Sequence, residues 1–514
     1  MNERFTVTTA ISYPNGRPHI GHAYEAIATD AIARFHRLMG RDVFFLTGTD
    51  EHGLKMAQTA RERGVEPAAL AAEMSSAFQA MDDALHVSYD RFIRTTEPDH
   101  HRASQSIWRA MEAAGDLYLG RYEGWYSVRD EAFYDEKELG DGEGGERLSP
   151  QGTPVEWTVE ESWFFRLSRY QEPLLALYRD QPDFIRPESR RNEVMRFVES
   201  GLSDLSVSRT SFDWGVKVPG SPAHVMYVWV DALTNYITGA GYPDDPERFS
   251  KRWPADLHVI GKDITRFHTV YWPAFLMSAG LELPRQVFAH GFLLNRGEKM
   301  SKSTGNIVDP VGLAEAFGVD ALRYFLLREV TFGQDGSWSE EAIVARVNAD
   351  LANSFGNLAQ RVLSFIAKNL GGALPTAGRG EGVDDALLDY VRATCGTELP
   401  GHFAALELSQ GVEAWLRAVF ACNQYVDKTA PWALRKSDPE RMNAVLATLV
   451  AAIRMLAIAI QPVVPGGAGR LLDQLGVPFD QRGFAAILDD APPAAFTLAP
   501  PTPIFPRLEL PADA

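Results

Sequence analysis

The chain has 514 residues, 45% of them hydrophobic, with a formal net charge of −18 and two cysteines. That length suits about three domains of ordinary size, each able to bury a core. The acidic balance excludes a protein that coats nucleic acid indiscriminately, since that affinity rests on neutralising phosphates, but it allows a specific RNA partner held by a local basic face. No uncharged apolar run approaches the roughly 20 residues that cross a bilayer. Met1-Asn2-Glu3-Arg4 lacks the basic-then-apolar pattern of a secretory signal. Cys395 and Cys422 both fall in the helix-rich C-terminal part. Free, buried thiols of a reducing compartment are expected there, with a single disulfide as the alternative. Composition thus points to a cytoplasmic, multidomain α/β protein with no membrane association.

Residues 4–10 read as a strand, and Pro14, Gly16 and Pro18 mark a turn-forming loop after it. From His22 to Met39 the apolar residues Ile27, Ala31, Ile32, Phe35 and Leu38 recur at helical spacing, and Gly40 stops the helix. Val43-Phe44-Phe45-Leu46 is a short, wholly apolar run. Strand, loop, helix and buried strand make a βαβ unit, which implies a parallel sheet with helices on its faces. Residues 1–114 are assigned to this unit. Residues 115–220, rich in aromatic and acidic residues and carrying the Gly-rich stretch 140–145, read as an inserted domain. Strand-like segments at Val225–Val230 and Leu257–Ile260 suggest that the sheet resumes in 221–340. Long Ala/Leu-rich amphipathic patterns over 341–490 predict a helical bundle. The Pro-rich tail, 491–514, is expected to be extended, with the apolar residues of Pro503–Leu508 folded back onto the body.

Two motifs carry chemistry. His19-Ile20-Gly21-His22 lies between the first strand and the first helix. A helix start offers unpaired N–H groups and a partial positive charge, Gly21 lets a ligand approach the backbone, and two imidazoles three apart can donate to phosphate oxygens. Lys299-Met300-Ser301-Lys302-Ser303, followed by Thr304-Gly305-Asn306, has the small residues of a mobile loop and two lysines able to clamp a polyphosphate. Alone, either motif could be a helix cap or a solvated basic turn. Together, about 280 residues apart, they resemble the paired signature of the class I aminoacyl-tRNA synthetases.

Within that class the chain resembles the methionine-specific family over nearly its whole length. The likeness is carried by Thr9–Gly16, Gly48-Thr49-Asp50-Glu51-His52-Gly53, Val228-Trp229-Val230-Asp231-Ala232-Leu233 and Gly261-Lys262-Asp263-Ile264-Thr265-Arg266-Phe267-His268. Isoleucine, valine and leucine enzymes typically carry a larger insertion, and the cysteine enzyme uses a zinc-bound thiolate that two remote cysteines cannot build. The resemblance implies a Rossmann-like parallel-sheet catalytic domain with an inserted connective domain, followed by an all-α anticodon-binding bundle. It implies that Asp50 and the Ile11 backbone hold the methionine ammonium. Ile11, Trp229, Ala232, Leu233, Tyr236, Ile264 and His268 would line the side-chain pocket, with Tyr13 and Phe267 closing over it. Such surfaces suit a polarizable thioether, to which Tyr13 or His268 would offer a weak hydrogen bond.

The implied reaction uses ATP with Mg2+. His19 and His22 would contact the phosphates, Lys299 and Lys302 would neutralise pyrophosphate, Asp263 would bond the ribose, and Gly21 and Gly261 would allow close approach. Asn357, Arg361, Pro431 and Trp432 resemble anticodon-reading positions, with Asn353 nearby; Arg346, Lys428, Arg435 and Lys436 are candidates for phosphate contacts. Methionine tRNA, bound through its acceptor end and anticodon, would be the partner of a monomer. Many relatives carry zinc knuckles in the insertion, but residues 115–220 contain neither cysteine nor histidine, so no structural zinc is expected. The alternatives are an adenylyltransferase that charges no tRNA, and an inactive paralogue that binds RNA.

Overall fold

The computed structural model describes residues 3–14, 16–130, 132–142, 145–299, 308–373, 380–489, 497–498 and 500–510. Its centre is a six-stranded sheet. β1 (Arg4–Thr9) feeds α1 (Ile20–Leu38), which returns the chain to β2 (Asp42–Thr49). α2 (Leu54–Arg63) and α3 (Pro67–Ala84) then lead to β3 (Arg91–Arg94) and α4 (Pro98–Ala113). β2 pairs with β1 and β3, and on the other side β1 pairs with the strand Leu257–Gly261, which neighbours Val287–His290 and then Ile185–Arg186. Every pair is parallel. The order therefore reverses between β1 and Leu257–Gly261, and in such sheets ligands bind outside the carboxyl ends of the strands at that reversal.

Two cores cover the two faces. Under one face, Val7, Ile27, Ile32 and Phe35 join a single apolar cluster that runs on into the helical C-terminal part through Leu326, Trp415 and Ile453. Under the other, Phe44, Leu46, Ile93, Ile260 and Val287 pack with Leu233, Ile237 and Phe275. Gly48 is a site of close approach, because a Cβ there would stand 2.0 Å from the Ile93 carbonyl oxygen.

The stretch from 115 to 220 is dominated by a long antiparallel hairpin, Leu117–Ser127 paired with Glu156–Phe165. The same stretch supplies Ile185–Arg186, the edge strand of the parallel sheet. One expectation is corrected. Val225–Val230 is not one strand of the resumed sheet: the strand is Ser221–Met226, antiparallel to Ser208–Arg209 and Lys217–Val218. After Tyr227 the chain turns into the helix Val228–Ala240. A short, wholly apolar run reads the same whether it is a buried strand or a helix buried all round, and this helix has nearly every residue buried.

From Val319 onward the described chain is largely helical, with Leu408–Thr429 and Pro439–Ile460 the longest helices. Pro439–Ile460 is long and apolar enough to cross a membrane by composition, and its apolar length fills the bundle core instead. Cys395 and Cys422 are both free and buried. Arg323, fully buried, ties the bundle to α1. It pairs with Asp30 at 2.6 Å and donates to the carbonyls of Val463, Leu85 and Pro462 at 3.0–3.2 Å. Past residue 499, Ile504 and Phe505 are buried, and Asn348 exchanges two hydrogen bonds with the Leu508 backbone at 2.8 and 2.9 Å.

Candidate active site

The β1–α1 turn is built by its own histidines. His19 caps α1, its Nδ1 accepting from the Gly21 N–H at 3.1 Å, and the His22 Nδ1 accepts from the His19 N–H at 3.1 Å. The two rings stack with centroids 3.8 Å apart. A Nδ1 that accepts is unprotonated, so each neutral imidazole carries its proton on Nε2. The turn thus places two Nε2–H groups at the positive end of a 19-residue helix, and imidazole N–H is chemistry suited to phosphate oxygens. The Ile20 N–H donates to the Val308 carbonyl at 3.2 Å, so the chain leaving residues 300–307 lands on this same turn. At the other end Glu298–Lys299 pairs with Leu294–Asn295. The Lys299 side chain and Lys302 lie outside the described residues.

Beyond β1, Ile11, Ser12 and Tyr13 run alongside the end of β2. Ser12 N–H donates to Gly48 O and Asp50 N–H to Ser12 O, both at 2.9 Å, which sets the buried Asp50 beside the Ile11 segment. Its neighbour Glu51 is immobilised: Arg94 grips it through two nitrogens at 2.6 and 3.0 Å, and Thr96 and Thr49 donate to it at 2.5 and 3.0 Å. The Tyr13 hydroxyl accepts from the Met56 N–H at 3.0 Å.

The apolar wall comes from the helix Val228–Ala240 and the segment after Gly261. The rings of Trp229 and Phe267 lie flat on one another, centroids 3.8 Å apart and 4° from parallel. Ala232, Leu233 and Tyr236 are buried on the same helix. The His268 Nδ1–H donates to the Ile264 carbonyl at 3.0 Å, which leaves Nε2 to accept from the Tyr236 hydroxyl at 2.7 Å. Burial holds the His268 pKa down to about 4, so the ring is neutral near pH 7. Of the two donors expected for the sulfur, Tyr13 and His268, this takes away His268, because its only N–H is taken by a backbone carbonyl. The wall offers ring faces, which suit a thioether through dispersion and sulfur–aromatic contact. Asp263 is exposed at the strand end, and a Cβ on Gly261 would stand 2.7 Å from its Oδ1, so the glycine makes room for that carboxylate.

On the bundle, the Arg361 guanidinium sits over the Trp432 ring, 4.8 Å from its centroid, and donates to Asp427 at 3.2 Å. Trp432 is 40% exposed although its neighbour Pro431 is buried, and Asn353 and Asn357 are exposed. An exposed indole backed by a guanidinium is a ready stacking platform for a base. Arg346 pairs with Glu329 at 2.8 Å and Arg435 donates to Asn369 at 2.6 Å, which occupies two of the candidate phosphate contacts.

A family model described as "tRNA synthetases class I (M)" matches residues 5–143 and 147–363, and one described as "Anticodon binding domain of methionyl tRNA ligase" matches 374–505. The methionine–tRNA ligase of Mycobacterium bovis is 60% identical over 512 residues, covering 99% of this chain and 98% of that protein. That of Mesorhizobium japonicum is 59% identical, with 98% of each covered. The chain belongs to the class I methionyl-tRNA synthetases. Mycobacterium tuberculosis methionyl-tRNA synthetase in complex with methionyl-adenylate superposes with a TM-score of 0.95 at 59% identity, covering 98% of this chain and 100% of that one. The apo form of the same synthetase gives 0.90 at 56% identity, with 99% of each covered.

Set against this family, the structure gathers the apolar positions Trp229, Tyr236, Ile264, Phe267 and His268 into one cluster. Two ionic groups had no role in the sequence reading. His290, at the end of its strand, pairs with Glu25 of α1 at 2.8 Å; burial pushes its pKa down, but the Glu25 carboxylate raises it above the ordinary value. Asp231 is fully buried between His52 and His100, 2.6 Å from each. The signal for the second was an acid inside Val228-Trp229-Val230-Asp231-Ala232-Leu233, where an unpaired carboxylate would be costly to bury. Among the described residues no group of three or more His, Cys, Asp or Glu side chains is placed to hold a metal ion.

Proposed function

We propose that the chain activates L-methionine with ATP and transfers it to methionine tRNA. A methionine carboxylate oxygen attacks the α-phosphorus in line, the bond to the bridging oxygen breaks, and pyrophosphate leaves. The 2′-hydroxyl of the terminal adenosine then attacks the carbonyl of the methionyl-adenylate, and AMP departs. The substrates bring the nucleophiles, so the protein's part is placement and stabilisation of charge spread over phosphate oxygens. In this reading His19 and His22 donate Nε2–H to those oxygens, Lys299 and Lys302 neutralise the pyrophosphate, and Asp263 bonds the ribose. Asp50 and the Ile11 backbone take the ammonium, while Tyr13 and the cluster around Trp229 and His268 take the side chain. Asn357, Arg361, Pro431 and Trp432 read the anticodon.

What supports the reading is a neutral, ring-faced wall on one helix, a buried carboxylate after β2 and a helix start carrying two histidines, all on segments that follow the carboxyl ends of the strands or pack against them. Imidazole N–H groups suit phosphate oxygens and not a cation, so magnesium would enter with ATP, held by the phosphates. We further propose that it works in the cytoplasm as a monomer. The test is exchange of labelled pyrophosphate into ATP with each standard amino acid, without tRNA, followed by tRNA charging. Exchange with methionine alone is expected. Exchange with another amino acid overturns the specificity, and exchange with none favours the RNA-binding alternative.

A further inference from the structure

The two halves of the proposed methionine pocket come from distant parts of the chain. Asp50 lies on the loop after β2, whereas Trp229, Ala232, Leu233 and Tyr236 lie on the helix Val228–Ala240. A direct bridge joins them. His52, two residues after Asp50, places Nδ1 2.6 Å from Asp231 Oδ2, and Asp231 stands between Trp229 and Ala232 in that helix's first turn. The other oxygen of Asp231 is held by His100 Nε2, from the first turn of α4, also at 2.6 Å, and His100 Nδ1 contacts the Thr238 hydroxyl at 3.1 Å, about two turns further along the pocket helix. All three residues are buried. The Trp214 indole donates to the Glu51 carbonyl at 2.7 Å, and its ring meets the His52 ring edge-on.

We propose that Asp231, clamped between His52 and His100, is a positioning residue that sets the spacing between the ammonium-binding and thioether-binding halves of the methionine site. The proposal rests on the pocket assignment given above. The clamp joins chain neighbours of both halves, and among the described residues its hydrogen bonds reach no group assigned to the phosphates. It should therefore govern methionine binding and leave ATP binding alone. A rigid gap also selects by length: a substrate whose ammonium-to-side-chain span differs by one methylene meets walls that cannot move together or apart.

The test is steady-state pyrophosphate exchange with His52→Leu, His52→Asn and Asp50→Asn. The amide nitrogen of asparagine stands where Nδ1 stands in histidine, so His52→Asn keeps a donor to Asp231 and His52→Leu removes it. His52→Leu is expected to raise the methionine KM about tenfold or more, with kcat and the ATP KM within about twofold, while His52→Asn stays within about threefold of the parent. Ethionine, longer by one methylene, should lose less than methionine does in His52→Leu. If His52→Leu does not accumulate as folded protein, Asp231→Asn serves, being isosteric and able to accept from only one imidazole, with an expected rise in methionine KM of about threefold to tenfold. Equal damage in His52→Leu and His52→Asn, or an ATP KM that rises in step, overturns the clamp. An unchanged methionine KM in Asp50→Asn overturns the pocket assignment and the clamp with it, whereas a rise there alone, with His52→Leu unaffected, overturns only the clamp.

Discussion

Arg323→Met should destabilise the protein by about 4 kcal/mol, and each part of that figure has a visible origin. Arg323 has no exposed surface and donates to three backbone carbonyls, those of Val463, Leu85 and Pro462. Orphaning three buried carbonyls costs about 1 kcal/mol each at the low end of the range. Breaking a buried ion pair costs about 3–5 kcal/mol, but Asp30 keeps Arg34 at 2.7 Å and the Ser88 N–H and hydroxyl at 2.7 and 2.5 Å, so the lower bound applies. Methionine returns about 2 kcal/mol by burying apolar surface where the guanidinium was. Urea unfolding read by far-UV circular dichroism and by tryptophan fluorescence measures the loss, with Asp30→Asn and the double variant completing a cycle. Burial alone pushes the Asp30 carboxyl up, yet Arg323 and Arg34 hold it below the ordinary carboxylate range. Its contribution is therefore present above the unfolded carboxylate pKa of about 3.9 and is lost as pH falls through the lower folded value. A loss below about 1 kcal/mol, or a cycle without coupling between the two positions, would refute this account of how α1 and the bundle are joined.

Other predictions follow from single features. His268 is neutral at pH 7 with its folded pKa near 4, below the unfolded value, so it withdraws stability as pH falls from about 6.5 toward 4; His268→Gln should flatten part of that acid loss in thermal melts at pH 5 and 7.5. An unchanged slope would count against it. Gly48→Ala places a Cβ 2.0 Å from the Ile93 carbonyl and should lower the denaturation midpoint markedly, whereas parent-like melting would mean that β2 and β3 can move apart. Trp432→Ala should cut tRNA charging by about fivefold or more, the low end of what one lost base stack is worth, while leaving pyrophosphate exchange intact. Loss of both activities would make Trp432 a packing residue. Lys302→Ala should slow adenylate formation strongly with methionine affinity nearly unchanged, and the reverse pattern would remove that loop from the phosphate side.

The opening βαβ unit was legible because each element carries its own period: the apolar spacing of α1 and the unbroken Val43–Leu46 run both act over a few residues. The short members of the sheet were not. Ile185–Arg186 is two residues long, and Arg91–Arg94 and Val287–His290 are four each, too short for a pattern to rise above its surroundings. Val225–Val230 misled because apolar continuity does not separate strand from helix. At the candidate site the residues named from four motifs fall at the carboxyl ends of the strands and on one helix, but what fixes their spacing was invisible. His52 and His100 reach Asp231 across 179 and 131 residues of chain, and His290 reaches Glu25 across 265. Contacts of that span leave only a local trace, a polar residue where an apolar one was due. The His268 tautomer likewise depends on the Ile264 carbonyl, which only the folded backbone brings to it.

Phe35 of α1 meets Phe403 and Phe484 with ring centroids 5.5 and 5.6 Å apart, within the apolar cluster that also holds Trp415 and Ile453. The helix that opens with His19 and His22 is therefore also an inner wall of the C-terminal helical bundle. Anyone splicing the bundle of one synthetase onto the catalytic half of another inherits that seam. The graft has to match Phe35 and the Asp30–Arg323 pair, or a chimera with two intact halves will expose the face along which they were grown together.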